Sequence, residues 1–348
     1  MKDKFVSRIV LCRLGGIGDV IHTLPLVRFL RNKYKEASIE YITSGENVGL
    51  LINHCPFIDN VWSFDKKNKN ELWKNILSKS GKIDYFFNLH TSFKFYLFNL
   101  LYLKAKKFFQ YKKDRNIHAV LNFARTYDPG LSAFDLDTKT LFVKDLKDGL
   151  LKYDLRERGY ACFVIGVGSA RPHRSWPFEK WLSLAKKILF TEKDLKIVFL
   201  GGEYERKIFE SWFNEKDDQK IPGFKDRAVN LTGKLTLSEV AEIVSKAAYL
   251  VSCDTGLLHL ASALSVKVLG LFGPTMPERT GPFTADYQIV CAKECKCIST
   301  FWEVKKCEKS ENLSGYCMNK IDVNDVLSKI YYSYEARINN ETDVLSYN

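Results

Sequence analysis

A chain of 348 residues exceeds one ordinary core and suits two domains of about 150 residues each; at 46% hydrophobic and 27% charged residues it does not have the composition of a disordered chain. Its net charge of +12 is lopsided: residues 1–150 carry +10 of it, which reflects either a lysine-rich proteome or a first half that faces an acidic partner. No apolar run approaches the ~18 residues needed to cross a bilayer, and the polar start over 1–8 has the form of neither a secretory signal nor a transit peptide, so the expectation is a cytoplasmic protein with its nine cysteines reduced.

Strand-like runs alternate with helical patterns along the whole chain, which argues for an α/β fold of parallel sheets wrapped by helices. In the first half the pattern predicts strands over 8–13, 39–43, 61–64 and 85–88, with helices over 24–33 and 93–103. After a loop-rich stretch over 127–159 the same grammar restarts, with strands over 162–167, 196–200, 248–253 and 266–271 and helices over 178–189, 205–213, 238–246 and 257–264. Thr236 and Glu239 have capping-box spacing at one helix start. The domains are therefore expected at 1–155 and 156–320, with a helical tail over 321–348 that returns to pack on the first domain. Two such domains enclose a cleft between facing strand ends, a common place for a two-substrate site.

The first predicted strand runs into Arg13-Leu14-Gly15-Gly16-Ile17-Gly18-Asp19-Val20-Ile21-His22-Thr23-Leu24-Pro25. Gly15, Gly16 and Gly18 let the backbone turn tightly and approach a ligand, but Ile21 stands where the third glycine of a dinucleotide fingerprint belongs. Asp19 reads equally as a general base facing the cleft or as an acid that caps a helix or complements its dipole. Pro25 implies a bent segment over 19–24.

Residues 94–115 hold seven Lys/Arg and one acid, threaded with aromatic rings. This stretch reads as a core helix with a lysine-coated face, as a seat for an anionic and partly apolar surface, or as a single-stranded nucleic-acid site. In the second half, Arg171 and Arg174 follow a strand and can neutralise a diphosphate, or are simply solvated. Gly201 and Gly202 precede Glu205, which can accept from ribose hydroxyls or complement a helix start. The run over 247–253 breaks into Asp254-Thr255-Gly256 and restarts as a helix; Thr255 can cap, Gly256 admits close approach, and His259 lies one turn on. That arrangement is a seat for a phosphate or diphosphate. Cys291, Cys295, Cys297, Cys307 and Cys317 are spaced too irregularly for a convincing zinc signature; they read first as packing of small apolar side chains and second as a structural metal or redox-linked pair.

Taken together, Gly18-Asp19-Val20-Ile21-His22-Thr23-Leu24-Pro25, Arg174-Ser175-Trp176-Pro177, Asp254-Thr255-Gly256-Leu257-Leu258-His259-Leu260-Ala261 and Gly273-Pro274-Thr275 resemble the heptosyltransferase family, glycosyltransferase family 9. The resemblance implies a GT-B fold of two Rossmann-like domains and an inverting, metal-independent transfer of heptose from ADP-heptose, a co-substrate rather than a cofactor, to the inner core of lipopolysaccharide or lipooligosaccharide. It implies Asp19 as base, diphosphate contacts at Arg174, Thr255, Gly256, Leu257 and His259, and a ribose contact at Glu205. Gly15, Gly16, Gly18, His22 and Asp254 then line the remaining cleft, and His90 and Lys94 are candidates for the anionic acceptor. Arg174 stands where the family commonly has Lys, and Asn88-Leu89-His90-Thr91 where it often has Asp-x-Gln-Gly. The partners implied are a nucleotide sugar and the acidic core, with peripheral contact at the inner face of the cytoplasmic membrane and no nucleic acid. The competing functions are a dinucleotide oxidoreductase and a non-catalytic nucleic-acid-binding protein.

Overall fold

Residues 8–12 are apolar after Arg8 and all five are buried, as expected of a central strand in a sheet covered on both faces. The computed structural model describes residues 6–331 except 66, 68, 79–81, 93–95, 97–98, 145–149, 169–170, 213–223 and 293–314. Its first sheet is parallel and contains β1 (Arg8–Cys12), β2 (Ser38–Thr43), β3 (Asn60–Ser63), β4 (Tyr85–Asn88) and β5 (Lys107–Gln110), ordered β3-β2-β1-β4-β5. Ile9 pairs with Ile39 on one side and Tyr85 on the other. The one charge in β1, Arg8, is met by Glu40 at 2.9 Å, and Glu40 also accepts from Trp62 Nε1 at 2.7 Å.

The second sheet contains β6 (Tyr160–Val164), β7 (Lys196–Leu200), β8 (Ala228–Asn230), β9 (Leu250–Cys253), β10 (Val268–Phe272) and β11 (Tyr287–Cys291). It is also parallel, in the order β11-β10-β9-β6-β7-β8, so both sheets start from a central strand and wind outward in each direction.

The helices that position the site are α1 (Ile17–Ile21), α2 (Leu24–Lys33), α3 (Asn47–His54), α4 (Lys69–Ser78), α5 (Ala119–Ala124), α6 (Phe178–Thr191), α7 (Glu203–Trp212), α8 (Leu237–Ser245), α9 (Gly256–Ala263) and α10 (Pro277–Thr280). Pro25 lies in the first turn of α2, so the break falls at His22-Thr23 and separates α1 from α2. Thr23 closes that break, donating to Val20 O at 2.6 Å and sharing a 2.6 Å hydrogen bond with Tyr41. The Thr236–Glu239 capping box forms as its spacing predicts, with Thr236 accepting from Glu239 N.

One apolar core runs through both sheets: Ile9, Leu11 and Val20 belong to the same buried cluster as Tyr160, Leu237, Val240 and Leu258. Across this seam Ser238 Oγ meets His54 Nε2 at 2.8 Å and Asn53 Nδ2 at 2.9 Å, joining α3 to α8. The connection between the sheets is tied to both sides, with Thr140 N donating to Ala263 O and Phe142 N to His54 O.

Several expectations need correction. Three short strands, β5, β8 and β11, were not anticipated, and β5 falls inside the basic stretch over 94–115, one of whose readings was a core helix. Of the helix expected over 93–103, a π-helical turn at Asn99–Leu103 is described, while 93–95 and 97–98 lie outside the described residues. Lys106 is not a loose surface charge: it pairs with the buried Asp84 at 2.5 Å. The described part of the tail packs on the second domain, since Ile321, Val326 and Ile330 join the core with Phe163 and Trp181; residues 332–348 lie outside the described residues. Cys317 and Met318 pack against Gly273, where an added Cβ would displace their sulfurs; Cys295, Cys297 and Cys307 lie outside the described residues.

Candidate active site

β1 delivers its carboxyl end into the turn at Arg13–Gly16, and α1 starts from Gly16, which occupies the cap position. Asp19 therefore sits in the first helical turn, 53% exposed at its side chain, and is paired with Arg13 at 2.9 Å. Arg13 is fixed on two further sides, donating to Leu89 O at 2.6 Å and standing 5.2 Å over the Phe123 ring. Gly15 lies behind this pair, where an added Cβ would come within 3.2 Å of the Asp19 side chain.

His90 does something other than face a ligand: its Nε2 accepts from Leu14 N at 2.5 Å, bracing the turn that carries Arg13. Burial, with the Arg13 charge, pushes its pKa down to about 4 against the opposing pull of Asp19, so the ring stays a neutral acceptor. Lys94, the other acceptor candidate, lies outside the described residues.

The second wall comes from the carboxyl ends of β6 and β9. Asp254 is buried and central: its carboxylate lies 3.5 Å from Arg174 Nη1, 3.5 Å from His259 Nε2 and 3.4 Å from Thr280 Oγ1. Burial works to raise its pKa, yet the hydrogen bond and charge of His259, then Arg174 and the Thr275 hydroxyl, hold it below the usual value. Arg174, on a 3₁₀ turn (Pro172–Arg174), is pushed down to about 10 by burial, against the pull of Asp254.

Thr255 does not cap α9 with its side chain; its hydroxyl turns to Ser252 Oγ at 3.1 Å. The first amides of α9 are thus left for whatever occupies the space before them. Glu205 is buried and committed to two loop amides, those of Gly168 and Gly202, both at 2.9 Å, and lies outside the cleft lining. Gly166 and Gly201 leave room for it, since a Cβ at either would collide with its side chain.

The walls meet helix start to helix start. A Cβ on Gly256 would lie 2.8 Å from Ile17 Cβ and 3.2 Å from Gly18 N, and a Cβ on Gly18 would lie 2.8 Å from His259 Cδ2. Bare backbone is what lets α1 and α9 touch. Beside this contact the His22 ring packs 4.2 Å from the His259 ring and 6.0 Å from that of His118. Burial, then the neighbouring His259, His118, Arg13 and Arg279, holds His22 well below its ordinary pKa and keeps it neutral.

Between the walls lies a cleft of about 480 Å³. The structure brings Gly16, Gly18, Asp19, His22, Arg174, Asp254, Thr255, Gly256 and His259 to its lining and leaves Gly15, His90, Glu205 and Leu257 outside it. Arg13, Lys113 and Arg279 line it too and were missed. Arg13 stands two residues before the glycine turn and Lys113 near the end of the basic stretch, signals present but not singled out. Arg279 follows Gly273-Pro274-Thr275 by a few residues and is brought in by α10. Five basic side chains face two carboxylates in the lining, a field suited to a substrate with several negative charges.

Two Rossmann-ordered sheets facing across a basic cleft give the chain the two-domain architecture of the GT-B class. The model of glycosyltransferase family 9 (heptosyltransferase) matches residues 103–310, more than half of the chain, and the chain belongs to this family. It is 23% identical over 294 residues to the lipopolysaccharide core heptosyltransferase OpsX of Haemophilus influenzae, covering 78% of this chain and 81% of that protein. Its fold is similar to a glycosyl transferase family 9 structure from Veillonella parvula, with a TM-score of 0.72 and 21% identity over 94% of this chain and 97% of the other. It is equally similar to the ADP-heptose lps heptosyltransferase II of Escherichia coli, with a TM-score of 0.72 and 18% identity over 95% and 99%. The protein is thus a glycosyltransferase, and the oxidoreductase and nucleic-acid-binding readings give way. Among the described residues no helix is long and apolar enough to cross a membrane.

Proposed function

We propose that this enzyme transfers heptose from ADP-heptose to the inner core of lipopolysaccharide or lipooligosaccharide, with inversion and without a metal. The observation that carries the reading is the placement of Asp19 on one wall of the cleft and the Arg174–Asp254–His259 cluster with the α9 start on the other. The relatives supply the sugar and the acceptor: they are named for heptose transfer, ADP-heptose and the lipopolysaccharide core.

In this reading an acceptor hydroxyl oxygen attacks the anomeric carbon as the bond to the diphosphate breaks. Asp19 takes the hydroxyl proton, and Arg13 holds its carboxylate in place. The departing ADP carries its charge into Arg174, the α9 start at Gly256, and His259. Removal of one such donor costs about 3–4 kcal/mol of transition-state stabilisation where the site excludes water. Glu205 acts on the nucleoside side by fixing the Gly168 and Gly202 loops. The exposed lysines of the first domain, Lys104, Lys107 and Lys112, face the acidic lipid-linked acceptor at the inner face of the membrane.

The test is purified enzyme with ADP-heptose and heptose-deficient core, reading ADP release, with and without chelator, and the anomeric configuration of the product by NMR. Asp19→Asn is expected to abolish transfer while keeping ADP binding; near-normal turnover removes Asp19 from the base role. Retained configuration, or loss of activity with chelator, overturns the corresponding part of the mechanism.

A further inference from the structure

Behind the cleft, on the seam between the domains, lies a second cavity of about 10 Å³ whose walls include His22, Thr140 and His259. That is room for about one water. Each of these residues has a buried polar atom without a hydrogen-bond partner among the described residues: His22 Nε2, Thr140 Oγ1 and His259 Nδ1. The three residues are 6%, 1% and 5% exposed, so bulk solvent does not serve them. A buried polar group left unpaired costs about 1–3 kcal/mol, and a buried water typically makes about three hydrogen bonds.

We infer that this seam holds one water bridging His22 Nε2, Thr140 Oγ1 and His259 Nδ1, and that His22 and Thr140 are positioning residues that fix His259 against the donor diphosphate. The inference rests on the reading of His259 as a diphosphate ligand. Its hydrogen-bond directions are consistent. Asp254, acceptor-only as a carboxylate, faces His259 Nε2 at 3.5 Å, so Nε2–H points to it and Nδ1 is left for the water. The water then donates to Nδ1 and to the Thr140 hydroxyl, and accepts from His22 Nε2–H. Thr140 offers a rigid mount because its own amide donates to Ala263 O at 2.9 Å. The ring of His259 is thereby anchored at Nδ1 through groups outside the second domain, while Nε2–H, only loosely met by Asp254 at 3.5 Å, is kept aimed at the diphosphate, so the acceptor side completes the donor site.

Thr140→Val keeps the shape and removes the hydroxyl; Thr140→Ser keeps the hydroxyl. Calorimetric titration with ADP and steady-state kinetics are expected to show Thr140→Val binding ADP about 5–10-fold more weakly, with donor KM raised more than kcat is lowered, and Thr140→Ser restoring both. In a His259→Ala background Thr140→Val is expected to add nothing. Unchanged ADP affinity in a folded Thr140→Val, or an additive loss in the His259→Ala background, overturns the inference. A high-resolution crystal structure supplies an arm that needs no variant: a water within about 3.2 Å of all three atoms supports it and its absence refutes it. Wild-type enzyme that fails to bind ADP overturns the donor reading itself, a result distinct from a silent Thr140→Val.

Discussion

Gly18→Ala tests the seam with a single methyl group. Its Cβ would stand 2.8 Å from His259 Cδ2 and 3.6 Å from Gly256 Cα. Carbon contacts become comfortable near 3.5 Å, so something must yield by roughly 0.7 Å. The His259 ring has little space to retreat, because His22 packs 4.2 Å away and Asp254 holds its Nε2. The strain passes either to the His259 ring or to the separation of α1 from α9, and both disturb the alignment of Asp19 with the donor. Since about 1 Å of misplacement costs on the order of 100-fold in rate, transfer is expected to fall roughly 10–100-fold. Helix propensity alone predicts the opposite for stability, a gain of up to ~1 kcal/mol, but overpacking at about 1–3 kcal/mol cancels or reverses it. The assay is the initial rate of ADP release beside a thermal unfolding curve. A variant within about twofold of wild-type turnover and more heat-stable would show that the seam has slack, and the argument from Gly18 and Gly256 would fail.

Glu205→Gln leaves one acceptor oxygen for two amides and turns an NH₂ group on the other; a loss of about 1–3 kcal/mol is expected in denaturant unfolding, and an unchanged midpoint would contradict the role given to Glu205. Stability is expected to fall as pH drops from about 7 toward 5. The folded pKa values of His22, His54, His90 and His118 are depressed, chiefly by burial, so the unfolded chain takes up protons through about 6.5 while the folded chain does not. A flat urea midpoint over that range would refute this, and His22→Gln is expected to flatten the slope. Lys104→Glu with Lys112→Glu is expected to weaken binding to vesicles of anionic lipid while leaving ADP affinity unchanged; equal loss of both would reject the acceptor-side surface. Lys106 is unsuitable for that experiment, because its ammonium, with the donors of Ser7 and Arg8, outweighs burial to hold Asp84 down to about 2.

Much of the architecture was legible because it rests on local chemistry. β4, β7 and α2 fall at the residues their patterns predict, and the Thr236–Glu239 box starts its helix as spacing requires. The motif Asp254-Thr255-Gly256 was readable for the same reason. β5 was hidden because a short edge strand guarded by lysine, Lys107-Phe108-Phe109-Gln110, offers no clean alternation and reads like a basic helix face. Only the fold reveals its logic, with Phe109 stacked 4.3 Å from Phe87 on the neighbouring strand. The partners of Glu205 and Thr255 were hidden for a different reason. Their side chains had nearer partners, the Gly168 and Gly202 amides and Ser252, that sequence spacing does not disclose. Arg13 and Arg279 needed the third dimension, since their importance comes from residues far away in sequence.

The continuous core has a practical corollary for anyone dissecting this enzyme. Leu50 and Leu51 of α3 share one cluster with Val240 and Val244 of α8, so cutting the chain between the lobes would bare oily faces on both fragments. Neither fragment is then expected to survive expression alone, and heating the intact chain should yield a single calorimetric peak rather than two.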